Sequence, residues 1–301
     1  MEAYGLPSPQ NDKTELQKEL LRYDIREQKD IYERLCDSHP STDEQQNVFD
    51  GVVSAVMNPS KDNRLHSLCG IAGSGKTTVA EKIATYLRSK GKIVLLCAAT
   101  TLACQNYNSI GGAWTAHRLT KFPVLEDDDR DFEDNAQCRC VRTTILYSFI
   151  NYFVYVIFHI RNVLYMELYI RLENTQRLEL LQNCGLIIWD EFFSNHREIL
   201  ESLYTFLPES TIILCMGDGR QILPIVRGGA ADTIAATFTS SPLWPQFRQW
   251  NLTKNMRILN SLASLTDDTS QAERERIQAE IDYAMIIQDI GEGNTGKYTY
   301  V

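Results

Sequence analysis

The spacing of hydrophobic positions changes several times along the 301-residue chain, and each change predicts a different element. Four short runs are almost continuously apolar: LHSLCG from Leu65, KIVLLCAAT from Lys92, GLIIWDE from Gly185 and TIILCMGD from Thr211. Such runs are typical of strands that are buried on both faces of a parallel sheet. Stretches with helical spacing lie between them and predict helices that cover the sheet. We therefore expect an α/β fold.

Two helical patterns precede the first strand. Apolar residues recur every three or four positions over 14–35, which predicts one helix that docks on the rest of the molecule and breaks at the following His-Pro pair. A second helix follows at once. Its start matches a capping box, formed either by Ser41 with Glu44 or by Thr42 with Gln45.

One segment fits neither pattern. Residues 145–160 contain no Asp, Glu, Lys or Arg, but they are fewer than the about 20 apolar residues that a membrane-spanning helix needs. Their richness in Ile, Tyr, Phe, Asn and Val is typical of translated AT-rich non-coding DNA. We interpret residues 140–168, approximately, as a retained intron or a recent insertion. An insertion buried against the sheet and a membrane anchor are the alternatives.

Charge and cysteine content narrow the possible functions. The net charge is −9, and the acidic stretch at 125–134 is interpreted as a solvated loop. This argues against a broad basic surface for nucleic acid but leaves room for a narrow basic groove. Among the eight cysteines only Cys138 and Cys140 are close together, and no second pair completes a zinc site. We expect free thiols, a reducing intracellular compartment and no bound metal of the zinc type.

The stretch GIAGSGKTT fits the pattern G-x-x-x-x-G-K-[ST], with a predicted strand before it and a predicted helix after it. Its glycines let backbone N–H groups turn toward phosphate oxygens, and the N-terminus of the next helix faces the same anion. Lys76 can reach the β- and γ-phosphates, and the Thr77 hydroxyl can ligate Mg²⁺. The predicted nucleotide-binding residues of this loop are Gly70, Gly73, Gly75, Lys76, Thr77 and Thr78.

Three later stretches supply the groups that such a loop lacks. At the end of the LIIWDE run, Asp190 can hold Mg²⁺ and Glu191 can orient and deprotonate water, which favours hydrolysis over small-molecule phosphoryl transfer. In GDGRQILPIV, Gln221 can detect a γ-phosphate and Arg220 can pair with an anion, although a surface turn is the alternative. In LTKNMR, Arg257 is a candidate to enter the cleft from a second lobe.

With these residues in hand, the chain resembles the petite-integration-frequency (PIF) family of superfamily 1B DNA helicases, which includes the helicase part of Helitron-type transposon proteins. The resemblance extends from Thr42 to Arg257 through the ordered stretches DEQQNVF, GIAGSGKTT, LRSKGKIVLLCAATTLA, WTAHRLTKFPV, LIIWDE, GDGRQILPIV, SPLW and LTKNMR. It implies a RecA-like P-loop lobe in a motor that hydrolyses ATP while it moves 5′ to 3′ on single-stranded DNA.

The resemblance also implies individual roles. Gln45 matches the glutamine that reads the adenine edge, Gln221 the γ-phosphate sensor and Arg257 the arginine finger. The expected catalytic residues are Lys76, Glu191, Gln221 and Arg257, and the expected Mg²⁺ ligands are Thr77 and Asp190.

The DNA path of the relatives is lined by segments that contain Thr100, Thr115 and His117 in this chain. A capped turn is the structural alternative for His117. Trp114 could stack on a base, although core packing is the simpler interpretation.

We expect three regions: an N-terminal helical region at 1–40, the ATP-binding lobe at 41–250, and the start of a second motor lobe at 251–301 that is otherwise missing from this chain. Stepping requires two lobes that close on the nucleotide, so the alternative is an ATP-binding remnant without motor activity. A membrane-tethered P-loop protein is a third hypothesis. The family implies the nucleus or the mitochondrion, and leaves repair, recombination, telomere maintenance and transposition open.

Overall fold

The structure, a computed structural model, describes residues 13–120 and 175–291, apart from 222, 227–228, 264 and 266–269, and also residue 293. The segment interpreted as an insertion and the Cys138–Cys140 pair lie outside the described residues. None of the helices in the described part combines the length and the apolar character that are needed to cross a membrane.

A six-stranded sheet in the order β3-β2-β4-β5-β1-β6 forms the centre of the molecule, and every pairing is parallel. The strands are β1 (Leu65–Gly70), β2 (Val94–Ala98), β3 (Trp114–Thr115), β4 (Leu186–Asp190), β5 (Ile212–Gly217) and β6 (Arg248–Leu252). The four predicted apolar runs are β1, β2, β4 and β5. Adjacent residues such as Ile187 and Ile188 are both fully buried because helices cover both faces. The expected α/β fold is confirmed.

Eleven α-helices are present in the described ranges: α1 (Glu15–Arg22), α2 (Ile25–Ser38), α3 (Asp43–Met57), α4 (Lys76–Ser89), α5 (Thr101–Gln105), α6 (Ala116–Thr120), α7 (Thr175–Gln182), α8 (Arg197–Phe206), α9 (Ala230–Ala236), α10 (Met256–Ala263) and α11 (Gln271–Gly291). Helices α3 and α4 share one hydrophobic core with the face of the sheet that carries Ile188. Helices α7 and α8 share a second core with the face that carries Ile187.

The two edge strands were not predicted. β3 has only two residues, and β6 has the sequence RQWNL, in which only the leucine is buried. An edge strand has a single neighbour and exposed faces, so it needs no apolar run. β6 pairs with β1, so that Leu252 lies opposite Gly70 at the start of the glycine-rich loop.

The prediction of one N-terminal helix over 14–35 was wrong, because the structure divides this stretch into α1 and α2. Asp24 ends the continuity: its side chain accepts hydrogen bonds from the backbone N–H groups of Arg26 and Glu27 at 2.8 and 3.0 Å, which caps a new helix. Beside it, the extended Tyr23 places its ring 3.8 Å from the buried Arg88 guanidinium. A cap and a cation–π contact therefore outweigh the helical periodicity.

The capping box at the start of α3 is formed by Thr42 and Gln45. The Gln45 N–H donates to Thr42 Oγ1 at 3.3 Å, and the Thr42 N–H donates to Gln45 Oε1 at 3.1 Å. Of the two pairs that the sequence allowed, the structure contains this one. It places the Gln45 side chain beside the glycine-rich loop.

Candidate nucleotide-binding site

The glycine-rich loop connects the end of β1 to the start of α4. Gly73 and Gly75 have φ values of 81° and 86°, a left-handed conformation that side chains with a Cβ rarely adopt. Gly70 has no room for a side chain, because a Cβ there would lie 2.6 Å from Ser74 Oγ. The loop ends at the N-terminus of α4, which begins at Lys76, and the unpaired N–H groups at a helix N-terminus suit an anion.

Lys76 lies inside this loop. Its ammonium group donates hydrogen bonds to the carbonyl oxygens of Gly70 at 2.6 Å and Ile71 at 3.0 Å. Burial lowers the pKa of Lys76, while the nearby carboxylates of Asp218 and Asp190 act in the opposite direction. Strands β1 and β4 are parallel and separated only by β5, so the loop that holds Lys76 and the acidic end of β4 lie at the same edge of the sheet, although they are more than 100 positions apart in the sequence.

Asp190 is a buried carboxylate with a fixed orientation. Its Oδ1 accepts a hydrogen bond from the Glu191 N–H at 2.9 Å, and its Oδ2 accepts one from the Tyr107 hydroxyl at 2.6 Å. The Thr77 hydroxyl lies close to the same phenol. The two predicted Mg²⁺ ligands, Thr77 and Asp190, thus both lie near a third residue, Tyr107.

That third residue, Tyr107, was missed at the sequence level. It is fully buried, and burial together with the neighbouring Asp190 raises its pKa well above 10, so the phenol keeps its proton and donates. It lies two residues beyond α5 and outside every recognised motif. No local pattern marks it, because its role depends on long-range packing.

Glu191 is the one residue other than glycine with a positive φ in the described ranges, with φ 51° and ψ 35°. This left-handed conformation costs about 1–2 kcal/mol for a residue with a Cβ. The side chain accepts a hydrogen bond from the Thr100 hydroxyl at 3.1 Å. Backbone strain therefore coincides with the predicted water-activating residue, a coincidence that is frequent at functional sites.

A cavity of about 320 Å³ lies between the loop, the turn at 38–40 and the start of α10. Gln45 lines it and is almost fully buried, and its Nε2 donates to the Ser74 carbonyl oxygen at 3.1 Å. Lys82 of α4 holds the turn at 38–40 through hydrogen bonds to the carbonyl oxygen of His39 and to Ser41 Oγ. The cavity adjoins the phosphate-binding loop, as a site for the nucleoside would.

Arg257 lines the same cavity. The Met256 N–H donates to the Gly73 carbonyl oxygen at 2.9 Å, and a Cβ at Gly73 would lie 3.1 Å from Arg257 Cδ. Glu44 fixes the preceding segment, since its carboxylate accepts hydrogen bonds from both the N–H and the hydroxyl of Thr253. Arg257 therefore lies beside the glycine-rich loop, and its role as an arginine finger that enters the cleft stays a prediction.

A second cavity, of about 410 Å³, has Glu191 in its wall. It is lined by Thr100, His117 and Gln221 together with Glu191. Two of the three predicted DNA contacts thus share a cavity with two predicted catalytic residues. Thr115 does not line it; its hydroxyl accepts a hydrogen bond from the Arg118 N–H at 3.3 Å at the start of α6.

Asn195 also lines this second cavity and was missed at the sequence level. Its side chain is 6% exposed, and its Nδ2 has no hydrogen-bond partner among the described residues. The only sequence signal for Asn195 is its position four residues after Glu191. Trp114, the other aromatic candidate, is half-buried with the Arg177 guanidinium 3.9 Å from its ring and packs against the second core.

A parallel sheet whose first strand enters a glycine-rich loop, with an acidic pair at the end of a neighbouring strand, defines a RecA-like P-loop nucleotide-binding lobe. The family model of the PIF1-like helicases matches residues 41–169 and 166–299 of the chain. The chain belongs to this family, as the motif resemblance predicted.

Solved structures of Pif1 helicases are similar to the chain. The helicase from Candida albicans is 19% identical with a TM-score of 0.47, over 76% of this chain and 45% of that one. Pif1 from Bacteroides sp in complex with ADP-AlF4 is 18% identical with a TM-score of 0.44, over 77% of this chain and 47% of that one. The chain thus spans about half the length of these structures. No curated protein matches the sequence.

Proposed function

We propose that this lobe binds Mg²⁺·ATP and that its hydrolysis of ATP drives 5′-to-3′ movement of a helicase on single-stranded DNA. The observation that supports the proposal is that β1, which leads into the loop with Lys76, and β4, which ends in Asp190, are parallel and separated only by β5, so that both end at one edge of the sheet. Membership of a helicase family supports it. Related Bacteroides Pif1 structures contain ADP-AlF4 in one case and single-stranded DNA in another.

The loop and α4 would receive the phosphates. Lys76 would exchange its contacts with the loop carbonyl oxygens for phosphate oxygens, which are stronger, charged acceptors. Thr77 and Asp190 offer a hydroxyl and a carboxylate, the oxygen ligands that suit Mg²⁺. When bound, Mg²⁺ neutralises charge on the β- and γ-phosphates. Glu191, which directly follows Asp190 at the end of β4, would accept the proton of the attacking water.

The second cavity would receive the DNA. Thr100 and His117 are exposed there and can donate hydrogen bonds to a phosphate or a base. Gln221 and Glu191 line the same cavity, so a DNA strand in it would touch both predicted catalytic groups. This arrangement would couple occupancy of the DNA site to hydrolysis.

Titration of the protein with a fluorescent ATP analogue in MgCl₂ tests the nucleotide site. The unsubstituted protein is expected to bind, and Lys76→Ala is expected to bind about 10- to 100-fold more weakly because a charged hydrogen bond is lost. Lys90→Ala, which removes an exposed lysine just beyond the same helix, is the matched control and is expected to bind normally. Equal binding by Lys76→Ala would contradict the proposal.

An ATPase assay with and without a single-stranded oligonucleotide tests the motor part. Stimulation by the oligonucleotide is the expected result for a DNA-dependent motor. Nucleotide binding without stimulation would instead favour the alternative of an ATP-binding protein that lacks motor activity.

A further inference from the structure

We propose that Tyr107 is a positioning residue for the metal site, and that its phenol holds Thr77 and Asp190 in the orientation in which they bind Mg²⁺. This inference rests on the proposed function, because it concerns the metal ion that accompanies the nucleotide. Tyr107 belongs to no motif of the chain, and it acts through the two ligands without touching the nucleotide.

The first argument concerns the carboxylate. The Tyr107 hydroxyl donates to Asp190 Oδ2 at 2.6 Å, while the Glu191 N–H donates to Oδ1 at 2.9 Å. One donor on each oxygen prevents rotation of the carboxylate. Each oxygen keeps a further lone pair for a metal ion or a metal-bound water.

The second argument concerns the hydroxyl of Thr77. A hydroxyl has one proton and two lone pairs, and only a lone pair can face a cation. The Thr77 hydroxyl lies close to the Tyr107 oxygen, which can accept its proton. A proton directed there would leave the lone pairs of Thr77 free on the remaining sides. A phenol suits this place because it can accept from Thr77 while it donates to Asp190.

The third argument is that Tyr107 is itself held rigidly. Its side chain is fully buried in the core shared by α3, α4 and the sheet. Its carbonyl oxygen accepts hydrogen bonds from the N–H groups of Ile110 at 3.1 Å and Gly112 at 2.7 Å. A site is held accurately when the groups behind its ligands are fixed by packing.

The same segment also reaches the other acidic residue. Thr100 precedes α5 and donates to Glu191, whereas Tyr107 follows α5 and donates to Asp190. One short stretch of chain therefore contacts both members of the acidic pair. A displacement of α5 would act on the predicted metal ligand and on the predicted base together.

The test compares Tyr107→Phe with the unsubstituted protein. This substitution keeps the ring and removes the hydroxyl. Binding of N-methylanthraniloyl-ADP is followed by fluorescence, first in EDTA and then during titration with MgCl₂. We expect unchanged binding in EDTA and a midpoint for Mg²⁺ that is about 10- to 100-fold higher, the usual cost of losing a group that orients metal ligands. Tyr86→Phe removes a phenol of α4 outside the site and is expected to leave the midpoint unchanged.

An unchanged midpoint in Tyr107→Phe would overturn the inference and leave nucleotide binding intact. Absence of binding by the unsubstituted protein would contradict the proposed function instead. Tyr107→Phe keeps the ring that fills the core and is therefore expected to fold, and thermal unfolding in EDTA is measured for each variant. A phenol that serves only stability would lower the melting temperature without moving the Mg²⁺ midpoint, which would also overturn the inference.

Discussion

The Thr100 hydroxyl donates a hydrogen bond to Glu191 Oε2 across 3.1 Å. Thr100 lines the cavity that we assign to DNA, and Glu191 is the residue that we expect to activate water. A group in the proposed DNA site therefore holds the carboxylate of the proposed chemical site. DNA that accepted a hydrogen bond from the Thr100 hydroxyl would remove the hydrogen bond to Glu191.

Substitution of Thr100 tests this connection. In Thr100→Val the hydrogen bond to Glu191 is lost, so we expect the stimulation of ATP hydrolysis by single-stranded DNA to fall, with nucleotide affinity unchanged. The hydroxyl also accepts a hydrogen bond from the Ala103 N–H at 3.1 Å as the N-cap of α5. The free energy of unfolding should therefore decrease by about 1 kcal/mol.

Thr100→Ser keeps the hydroxyl and serves as the control. Its stimulation by DNA and its stability are expected to stay close to those of the unsubstituted protein. Full DNA stimulation in Thr100→Val would show that the hydrogen bond to Glu191 does not connect the two sites.

The strained backbone of Glu191 predicts a conflict between stability and activity. Asparagine tolerates the left-handed conformation better than glutamate, so Glu191→Asn should unfold with a free energy about 0.5–1 kcal/mol higher, measured by urea denaturation. ATP hydrolysis should be lost because the water-activating carboxylate is absent. Glu191→Gln keeps the strain and is expected to lose hydrolysis without gaining stability. Equal stability of the two variants would contradict this explanation.

His66 predicts how stability depends on pH. It is fully buried, its Nδ1 accepts a hydrogen bond from Trp250 Nε1–H at 3.1 Å, and its Nε2 lies 3.2 Å from the Asn63 carbonyl oxygen. Burial lowers the pKa of His66 to about 4, mainly because the charged form is desolvated. The unfolded chain, with a histidine pKa of about 6.5, takes up the proton first.

The contribution of His66 to stability is therefore complete above about pH 6.5 and is lost as the pH falls toward 4, by about 3 kcal/mol in total. Urea unfolding at several pH values between 7.5 and 4 measures it. His66→Asn keeps an acceptor for Trp250 and does not titrate, so its stability should depend less on pH in this window. Parallel curves for the two proteins would contradict the assignment.

The contacts between Glu44 and Thr253 predict a link between stability and nucleotide affinity. Both hydrogen bonds from Thr253 lower the pKa of Glu44, so their contribution is present above the unfolded pKa of about 4.3 and is lost below it. Thr253→Val removes the shorter bond, of 2.6 Å, and should cost about 1 kcal/mol in urea unfolding at pH 7.

Nucleotide binding should weaken in the same variant, because Thr253 anchors the segment that places Arg257 against Gly73. Thr253→Ser retains both donors and should behave like the unsubstituted protein. A stable Thr253→Val variant with normal affinity would show that this anchor has no part in the site.

The sequence predicted those parts of the site that are encoded within a few consecutive residues. The glycine-rich loop requires Gly73, Gly75 and Lys76 at fixed spacing, and Asp190 directly follows an apolar strand, so a local pattern reveals them. Tyr107 could not be predicted in this way. Its role follows from its hydrogen bond to Asp190 at the end of β4, which only the folded chain brings near.

Elements that are exposed to solvent, or that are held by buried polar side chains, were also difficult to predict. Strand β6 is polar because it lies at an edge, and the break between α1 and α2 depends on the Asp24 cap and on Arg88, which is distant in sequence. Hydrophobic periodicity carries no information about such interactions. It identified the central strands well, since these are buried on both faces.

Because Gly70 pairs with Leu252, the chain that connects the phosphate-binding loop to Arg257 across this pairing is short. Only four residues separate the paired Leu252 from Arg257, and Asn255, Met256 and Arg257 all lie against the loop. A small displacement of the loop would therefore reach the arginine through a few covalent bonds, without rearranging the core. Strand β6 thus links the position of the phosphate-binding loop to the position of Arg257.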